Sequence, residues 1–119
     1  RMTLILALSY SSKKEIVAAV RSIVAQNQSG HLNLEDIDES SISNALYTKD
    51  FPDPELMIRT SGESRISNFL LWQLAYAELY FSPVFWPDFR KNHFYEAILN
   101  FQHRERRFGR TSEQLDEPV

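Results

Sequence analysis

Leu56-Met57-Ile58-Arg59-Thr60-Ser61-Gly62-Glu63-Ser64-Arg65-Ile66-Ser67-Asn68 decides how this chain is read. A short apolar run ends in an arginine, and ten residues from Arg59 to Asn68 then hold two arginines, four hydroxyls and one glycine. An apolar run of this length reads as a buried strand, and the polar segment after it as the approach to a helix. Arginine presents a planar fork of donors matched to phosphate oxygens, and hydroxyls and helix N-terminal amides add more. In α/β folds, ligands sit where the C-terminal end of a parallel strand feeds a helix. The combination predicts a cradle for a phosphate or diphosphate around Arg59, Arg65 and Ser67.

Outward from this segment, the pattern alternates strands with helices. Thr3 to Leu8 is nearly continuous apolar sequence and predicts a strand buried on both faces. Ser12-Lys13-Lys14-Glu15 has capping-box spacing, with Ile16, Val17, Val20, Ile23 and Val24 following at helical intervals and Gly30 as the stop. A shorter helix is predicted over Asp38–Leu46, its inner face formed by Ile42, Ala45 and Leu46. The prolines of Asp50–Pro54 mark a turn. Asn68–Tyr76 is apolar on nearly every side and predicts a buried helix, and Glu78–Phe81 a short strand. A last helix starts at Trp86-Pro87-Asp88 with Asp88 as cap, faces inward through Phe94, Ala97, Ile98 and Phe101, and stops at Gly109. The fold class is α/β, a mainly parallel sheet flanked by helices. Because a buried strand opens the chain without a lead-in, the 119 residues read as part of a longer protein.

Composition narrows the chemistry. Lys and Arg number 13 against 16 acidic residues, and a net charge of −3 argues against a nucleic-acid partner. There is no cysteine, so disulfides and thiolate chemistry are excluded. His31, His93 and His103 lack metal-site spacing and read as surface residues. Glu78 is the only charge between Arg65 and Asp88. It reads either as an exposed carboxylate at a helix end or as a hard oxygen ligand for Mg²⁺. Were residues 67 to 78 helical, at about 1.5 Å per residue, Ser67 and Glu78 would lie up to roughly 16 Å apart. One side chain of the same subunit would not easily bridge that distance, which makes action across a subunit interface one reading of Glu78, beside action within its own subunit. Arg104, Arg106 and Arg107 fit a helix C-terminus by default.

Ile58 to Gln73, continuing through Ala75-Tyr76-Ala77-Glu78-Leu79-Tyr80-Phe81 and Trp86-Pro87-Asp88, resembles the signature of the cis-prenyltransferases, nearest their bacterial undecaprenyl diphosphate-forming branch. The resemblance runs from Thr3 to Gly109 and is densest over Pro52–Phe89. It implies the cis-prenyltransferase fold, with residues 1–109 as the C-terminal half of one domain and 110–119 as a polar tail. It implies an Mg²⁺-dependent homodimer that condenses isopentenyl diphosphate repeatedly onto farnesyl diphosphate. The product would be the undecaprenyl diphosphate carrier of cell-wall synthesis, made in the cytoplasm with peripheral membrane contact. By the same resemblance Arg59, Arg65, Ile66 and Ser67 bind isopentenyl diphosphate and Glu78 helps bind Mg²⁺. Arg107, within Arg107-Phe108-Gly109, reaches the partner subunit's site.

Two features depart from the family pattern. Ser9-Tyr10-Ser11-Ser12-Lys13 replaces the usual Asn-Tyr-Gly-Gly-Arg. No Asp-Gly-Asn motif is present, so the catalytic aspartate belongs to a missing N-terminal half and this segment alone does not turn over. A non-catalytic subunit of a heteromeric prenyltransferase, or an unrelated diphosphate-binding module, are the alternative readings.

Overall fold

The computed structural model describes residues 2–104, which divide into two compact units. One contains residues up to 52 together with 66–72; the other contains 53–65 and residues from 73 onward.

In the first unit, helix α1 (Ser12–Gln28) is held by polar groups at its start and by an apolar stripe along its length. The cap is Ser11, one residue earlier than the spacing predicts, and its Oγ accepts from the Lys14 N–H at 3.4 Å. Ser12 is fully buried instead: its N–H donates to the Asn68 carbonyl at 3.0 Å, and its Oγ accepts from the Leu71 N–H at 2.9 Å. The Lys13 N–H donates to Asn68 Oδ1 at 2.9 Å. Asn68 and Ser11 thereby satisfy three of the four amides that every helix start leaves unpaired. Helix α1 ends at Gln28, and Gly30, with φ +76°, supplies the left-handed residue of a C-terminal cap. Ala19 and Ile23 of α1 are buried, as is Leu46, which follows the short helix α2 (Glu39–Ser43). Helix α2 is shorter than its apolar pattern predicts. Asp38 caps it, accepting from the Ser41 N–H at 2.9 Å, and the carboxylate's bonds from Ser40 and Ser41 lower its pKa.

Glu15 is the largest fully buried side chain. It does not close a capping box; one carboxylate oxygen accepts from the Tyr10 hydroxyl and the other from the Tyr47 N–H at 2.9 Å. A buried carboxylate needs such partners, because stripping it of water without them is costly. Burial, and then the bond to Glu15, raise the Tyr10 pKa above its ordinary value of 10.0.

Two predicted elements of this unit are absent. Thr3–Leu8 forms no strand; Leu4, Ile5, Leu6 and Leu8 are all more than half exposed, and no strand in the unit lies beside them to complete a ladder. Ile66–Trp72 contains no helix either. Ser67, Asn68 and Leu70 have φ of +54°, +62° and +47°, on the left-handed side that a right-handed helix cannot contain. The apolar side chains here pack from a chain of turns, with Trp72 Nε1 donating to Ser43 Oγ at 3.0 Å.

The second unit contains the sheet. Strand β1 (Leu56–Arg59) pairs in parallel with β2 (Glu78–Phe81), Leu56 opposite Glu78 and Arg59 opposite Phe81. Both strands are as predicted. The predicted helix from Asn68 does not form here either, since Gln73–Tyr76 is a run of turns. Trp86–Asp88 is a single 3-10 turn, and Phe89 and Arg90 are extended, so Asp88 does not cap the last helix. Helix α3 (Lys91–Gln102) begins after them, with the Arg90 N–H donating to His93 Nδ1 at 3.0 Å. His93 is therefore a capping residue. Ala97 is fully buried, while Phe94, predicted to face inward, is exposed. Gly109 lies outside the described residues. The chain is an α/β protein with a parallel sheet and flanking helices.

Replacing Glu15 with leucine removes the acceptor of the Tyr47 N–H and of the partly buried Tyr10 hydroxyl and is expected to cost about 1–2 kcal/mol of stability, read by urea denaturation. The Tyr10 contribution has the sign of a raised folded-state pKa. It is complete below pH 10.0 and disappears as pH climbs through the raised value, which tyrosinate absorbance during alkaline titration would follow.

Candidate functional site

The polar segment after β1 is tied to the sheet rather than free. Ser82 N–H donates to the Arg59 carbonyl at 2.7 Å, Gly62 N–H to the Ser82 carbonyl at 2.9 Å, and Ser61 N–H to the Val84 carbonyl at 2.8 Å. Ser61 and Gly62 have φ of +69° and +70°, so the chain reverses on two consecutive left-handed residues. Gly62 adopts this conformation without strain, whereas Ser61 pays a modest cost for it.

Arg59 emerges at the C-terminal end of β1, where sequence reasoning puts it. Its guanidinium Nη1 donates to the Arg65 carbonyl at 2.6 Å, closing residues 60–65 into a loop. Arg65 is exposed and forms an ion pair with Glu63. The sequence reading missed this pairing, although only Ser64 separates the partners. An exposed pair of this kind is worth only about 0–1 kcal/mol, so Glu63 holds Arg65 weakly. Thr60 and Ile58 line an open hollow with Trp86, Phe89, Arg90 and Lys91. In the other unit Ile66 is half-buried and Ser67 exposed. Asn68, read from sequence as the end of the ligand segment, instead holds the start of α1; its Nδ2 donates to Ser11 Oγ at 2.9 Å.

Glu78 opens β2, its N–H donating to the Glu55 carbonyl at 2.9 Å. Its Oε2 accepts from Arg104 Nη1 at 3.1 Å, and the same Nη1 donates to the Leu79 carbonyl at 2.8 Å. Arg104 Nε donates to Asn100 Oδ1 at 2.8 Å. Arg104 thus joins the end of α3 to β2, a specific role that the helix-dipole reading did not foresee. Arg107 lies outside the described residues.

Sheet register separates two predicted site residues. Leu56, not Arg59, stands opposite Glu78. Three residues of strand, about 10 Å, lie between Glu78 and the level of Arg59. The helical spacing once used to separate Ser67 from Glu78 has no basis, because residues 67–78 contain no helix. The parallel register replaces it as the reason Glu78 and the Arg59 loop occupy opposite ends of the sheet.

Among the described residues no group of three or more His, Cys, Asp or Glu side chains could hold a metal, and no helix is long and apolar enough to cross a membrane. Mg²⁺ is commonly held by one or two carboxylates together with substrate phosphates. The single carboxylate of Glu78 fits such a shared site as one contributor, once Arg104 is exchanged for the ion.

Residues 1–109 match the prenyltransferase family model for undecaprenyl diphosphate synthases. The chain is 58% identical over 114 residues to an isoprenyl transferase of Chlorobaculum tepidum, covering 96% of this chain and 43% of that protein. It is 57% identical over 108 residues to dehydrodolichyl diphosphate synthase 1 of Arabidopsis thaliana, covering 89% of this chain and 36% of that one. The crystal structure of lavandulyl diphosphate synthase from Lavandula x intermedia, in complex with dimethylallyl diphosphate, superposes with a TM-score of 0.83 at 41% identity, covering 86% of this chain and 44% of that chain. The chain thus spans less than half the length of these relatives.

Gly62→Ala is expected to lower stability by about 1 kcal/mol in denaturant titration, through its left-handed φ alone. A Cβ at this position meets nothing within 4 Å, so a larger loss would mean that the loop packs more tightly than described.

Proposed function

The chain belongs to the undecaprenyl diphosphate synthase family of prenyltransferases, and from this premise we propose that it is the C-terminal half, residues 1–109, of a single-domain isoprenyl transferase, with 110–119 as a polar tail. The whole enzyme condenses isopentenyl diphosphate sequentially onto farnesyl diphosphate in cis, giving undecaprenyl diphosphate as the lipid carrier of cell-wall synthesis. The observation that carries this reading is the intact segment Arg59–Asn68 at the C-terminal end of a parallel strand, inside a family match spanning residues 1–109. The family description favours the undecaprenyl product, while the plant relatives carry other product names within the same family. Retention of Arg59, Arg65, Ser67 and Glu78 together disfavours a non-catalytic subunit, which would not need them.

In this reading Arg59, Arg65, Ile66 and Ser67 form the isopentenyl diphosphate segment. Arg59 shapes the loop through its bond to the Arg65 carbonyl, and the Arg65 guanidinium exchanges Glu63 for a diphosphate oxygen. Holding that diphosphate still beside the allylic partner supplies proximity, and the fixed positive charge favours the anionic groups gathered there. Mg²⁺, when bound, neutralises charge on the departing allylic diphosphate. Glu78 would offer it a carboxylate, and the catalytic aspartate belongs to the part of the enzyme preceding this chain.

The opposite-end placement of Arg59 and Glu78 supports a homodimer in which Glu78 serves the partner's diphosphate, and Arg107 would reach across the same way. In this reading the enzyme works in the cytoplasm, in peripheral contact with the membrane that takes up its lipid product.

Two measurements test this. In the full-length protein, Arg65→Ala should raise KM for isopentenyl diphosphate tenfold or more, about 1.4 kcal/mol or more of lost binding, while KM for farnesyl diphosphate changes little; equal effects on both substrates would refute the assignment. Mixing Glu78→Ala subunits with Arg65→Ala subunits, each impaired alone, should raise activity at subsaturating isopentenyl diphosphate above that of either component, since one of the two sites in a mixed dimer is then intact. A mixture no more active than its components would place Glu78 in the same subunit's site.

A further inference from the structure

We propose that Ser11 and Ser12 are positioning residues for the substrate segment. Their hydroxyls tie the start of α1 to Asn68 and Leu71, and so hold Ser67 in the shape that a diphosphate meets. The proposal deepens the functional reading above and rests on it for the identity of the ligand.

The two serines stand where the family pattern has consecutive glycines, within Ser9-Tyr10-Ser11-Ser12-Lys13. Neither position requires glycine here. Ser11 is extended, with φ −142° and ψ 118°, and Ser12 begins the helix; the positive φ of this turn falls on Ser9, at +52°. A side chain is therefore admitted at both positions, and each hydroxyl takes up a donor from the same distant segment. Ser11 Oγ accepts from Asn68 Nδ2 at 2.9 Å, and the Oγ of the fully buried Ser12 accepts from the Leu71 N–H at 2.9 Å. Glycines would remove both acceptors.

The segment that receives these bonds depends on them. Residues 66–72 form neither helix nor strand, and Ser67, Asn68 and Leu70 have φ of +54°, +62° and +47°. A strained run of this kind keeps a single path only where its surroundings hold it. Asn68 is gripped at its carbonyl and at both ends of its side-chain amide. The carbonyl accepts from the Ser12 N–H at 3.0 Å, Oδ1 accepts from the Lys13 N–H at 2.9 Å, and Nδ2 donates to Ser11. The next residue, Phe69, meets the Tyr10 ring edge-on with centroids 5.6 Å apart. Ser67 is exposed and directly precedes this clasp, so the clasp fixes the backbone from which its hydroxyl projects. A segment ordered before the ligand arrives loses less entropy on binding, and side chains behind a binding residue set how well it is aimed.

The test uses full-length protein carrying Ser11→Gly/Ser12→Ala. Glycine caps a helix nearly as well as serine, so α1 should persist, which circular dichroism checks. Peptides covering residues 66–72 should exchange backbone hydrogen about tenfold faster than in wild type, while those within Lys91–Gln102 are unchanged. The dissociation constant for isopentenyl diphosphate, measured by calorimetry without farnesyl diphosphate, should rise about fivefold. KM for isopentenyl diphosphate should rise with it, while KM for farnesyl diphosphate changes little. Ser11→Thr, which keeps the hydroxyl, should behave as wild type. If the double variant melts below the assay temperature, Ser11→Gly alone carries the same comparisons.

Unchanged exchange over residues 66–72 would overturn the proposal, as would unchanged affinity for isopentenyl diphosphate in a variant whose segment has loosened. Equal losses for both substrates would reduce the serines to a general structural role. A Ser11→Thr protein as impaired as Ser11→Gly would remove the hydroxyl as the cause. Weakened binding of isopentenyl diphosphate by an enzyme that transfers no prenyl group would count against the catalytic reading alone. Normal transfer with unmoved affinity would count against the serines alone.

Discussion

Parallel pairing of Leu56–Arg59 with Glu78–Phe81 is the constraint from which the second unit's arrangement follows. Parallel strands cannot be joined by a tight turn, so the chain must leave one end of β1 and return to the other end of β2. That requirement creates the long connection holding the arginines and hydroxyls, which also contributes residues 66–72 to the other unit. It also sends Arg59 and Glu78 to opposite ends of the ladder. The connection starts as an ordered extension of the sheet, because the amides of Ser61, Gly62 and Ser82 bond along it. Arg65 is thus presented on a backbone already fixed by hydrogen bonds. Less ordering entropy is then lost when a ligand binds.

The first unit rests on a different economy, in which polar side chains replace regular backbone pairing. Asn68 takes up two amides of α1, Ser12 takes up the Leu71 amide, and Glu15 takes up the Tyr47 amide. Residues 66–72 can therefore follow an irregular, partly left-handed path while these backbone groups stay paired. Positive φ at Ser67 and Leu70 carries a strain that asparagine at position 68 tolerates better. Of these, Ser67 lies within the segment proposed to bind the diphosphate, and backbone strain is often found in binding sites.

Elements whose signals are local were legible in the sequence. The two strands, α1 and the stop near Gly30 follow from apolar period and turn residues. Phe69, Leu70, Leu71 and Trp72 misled because apolarity on every side reports burial and not conformation. Nothing local announces that three neighbours adopt positive φ, since only Asn68 among them belongs to a residue type that favours it. The boundary of α3 was missed because Pro87 suits a first helical turn as well as the 3-10 turn it occupies. At the candidate site, Arg59 and the loop were legible from the strand-then-arginine pattern. The grip of Arg104 on Glu78 was not, because it joins residues distant in sequence. The inward turn of Glu15 was equally hidden, since its spacing also satisfies a capping box.

The run Thr3–Leu8 has a further bearing on how the molecule must be handled. Its six residues include four exposed large aliphatics and lack charge, proline and glycine. Uncharged and in no ladder among the described residues, such a segment can pair with any strand it meets, including its own copies. Runs of this kind are usually protected by a neighbouring strand or a flanking charge. Solubility of any preparation of this chain will therefore be governed less by its net charge than by whether these six residues find a legitimate neighbour before they find one another.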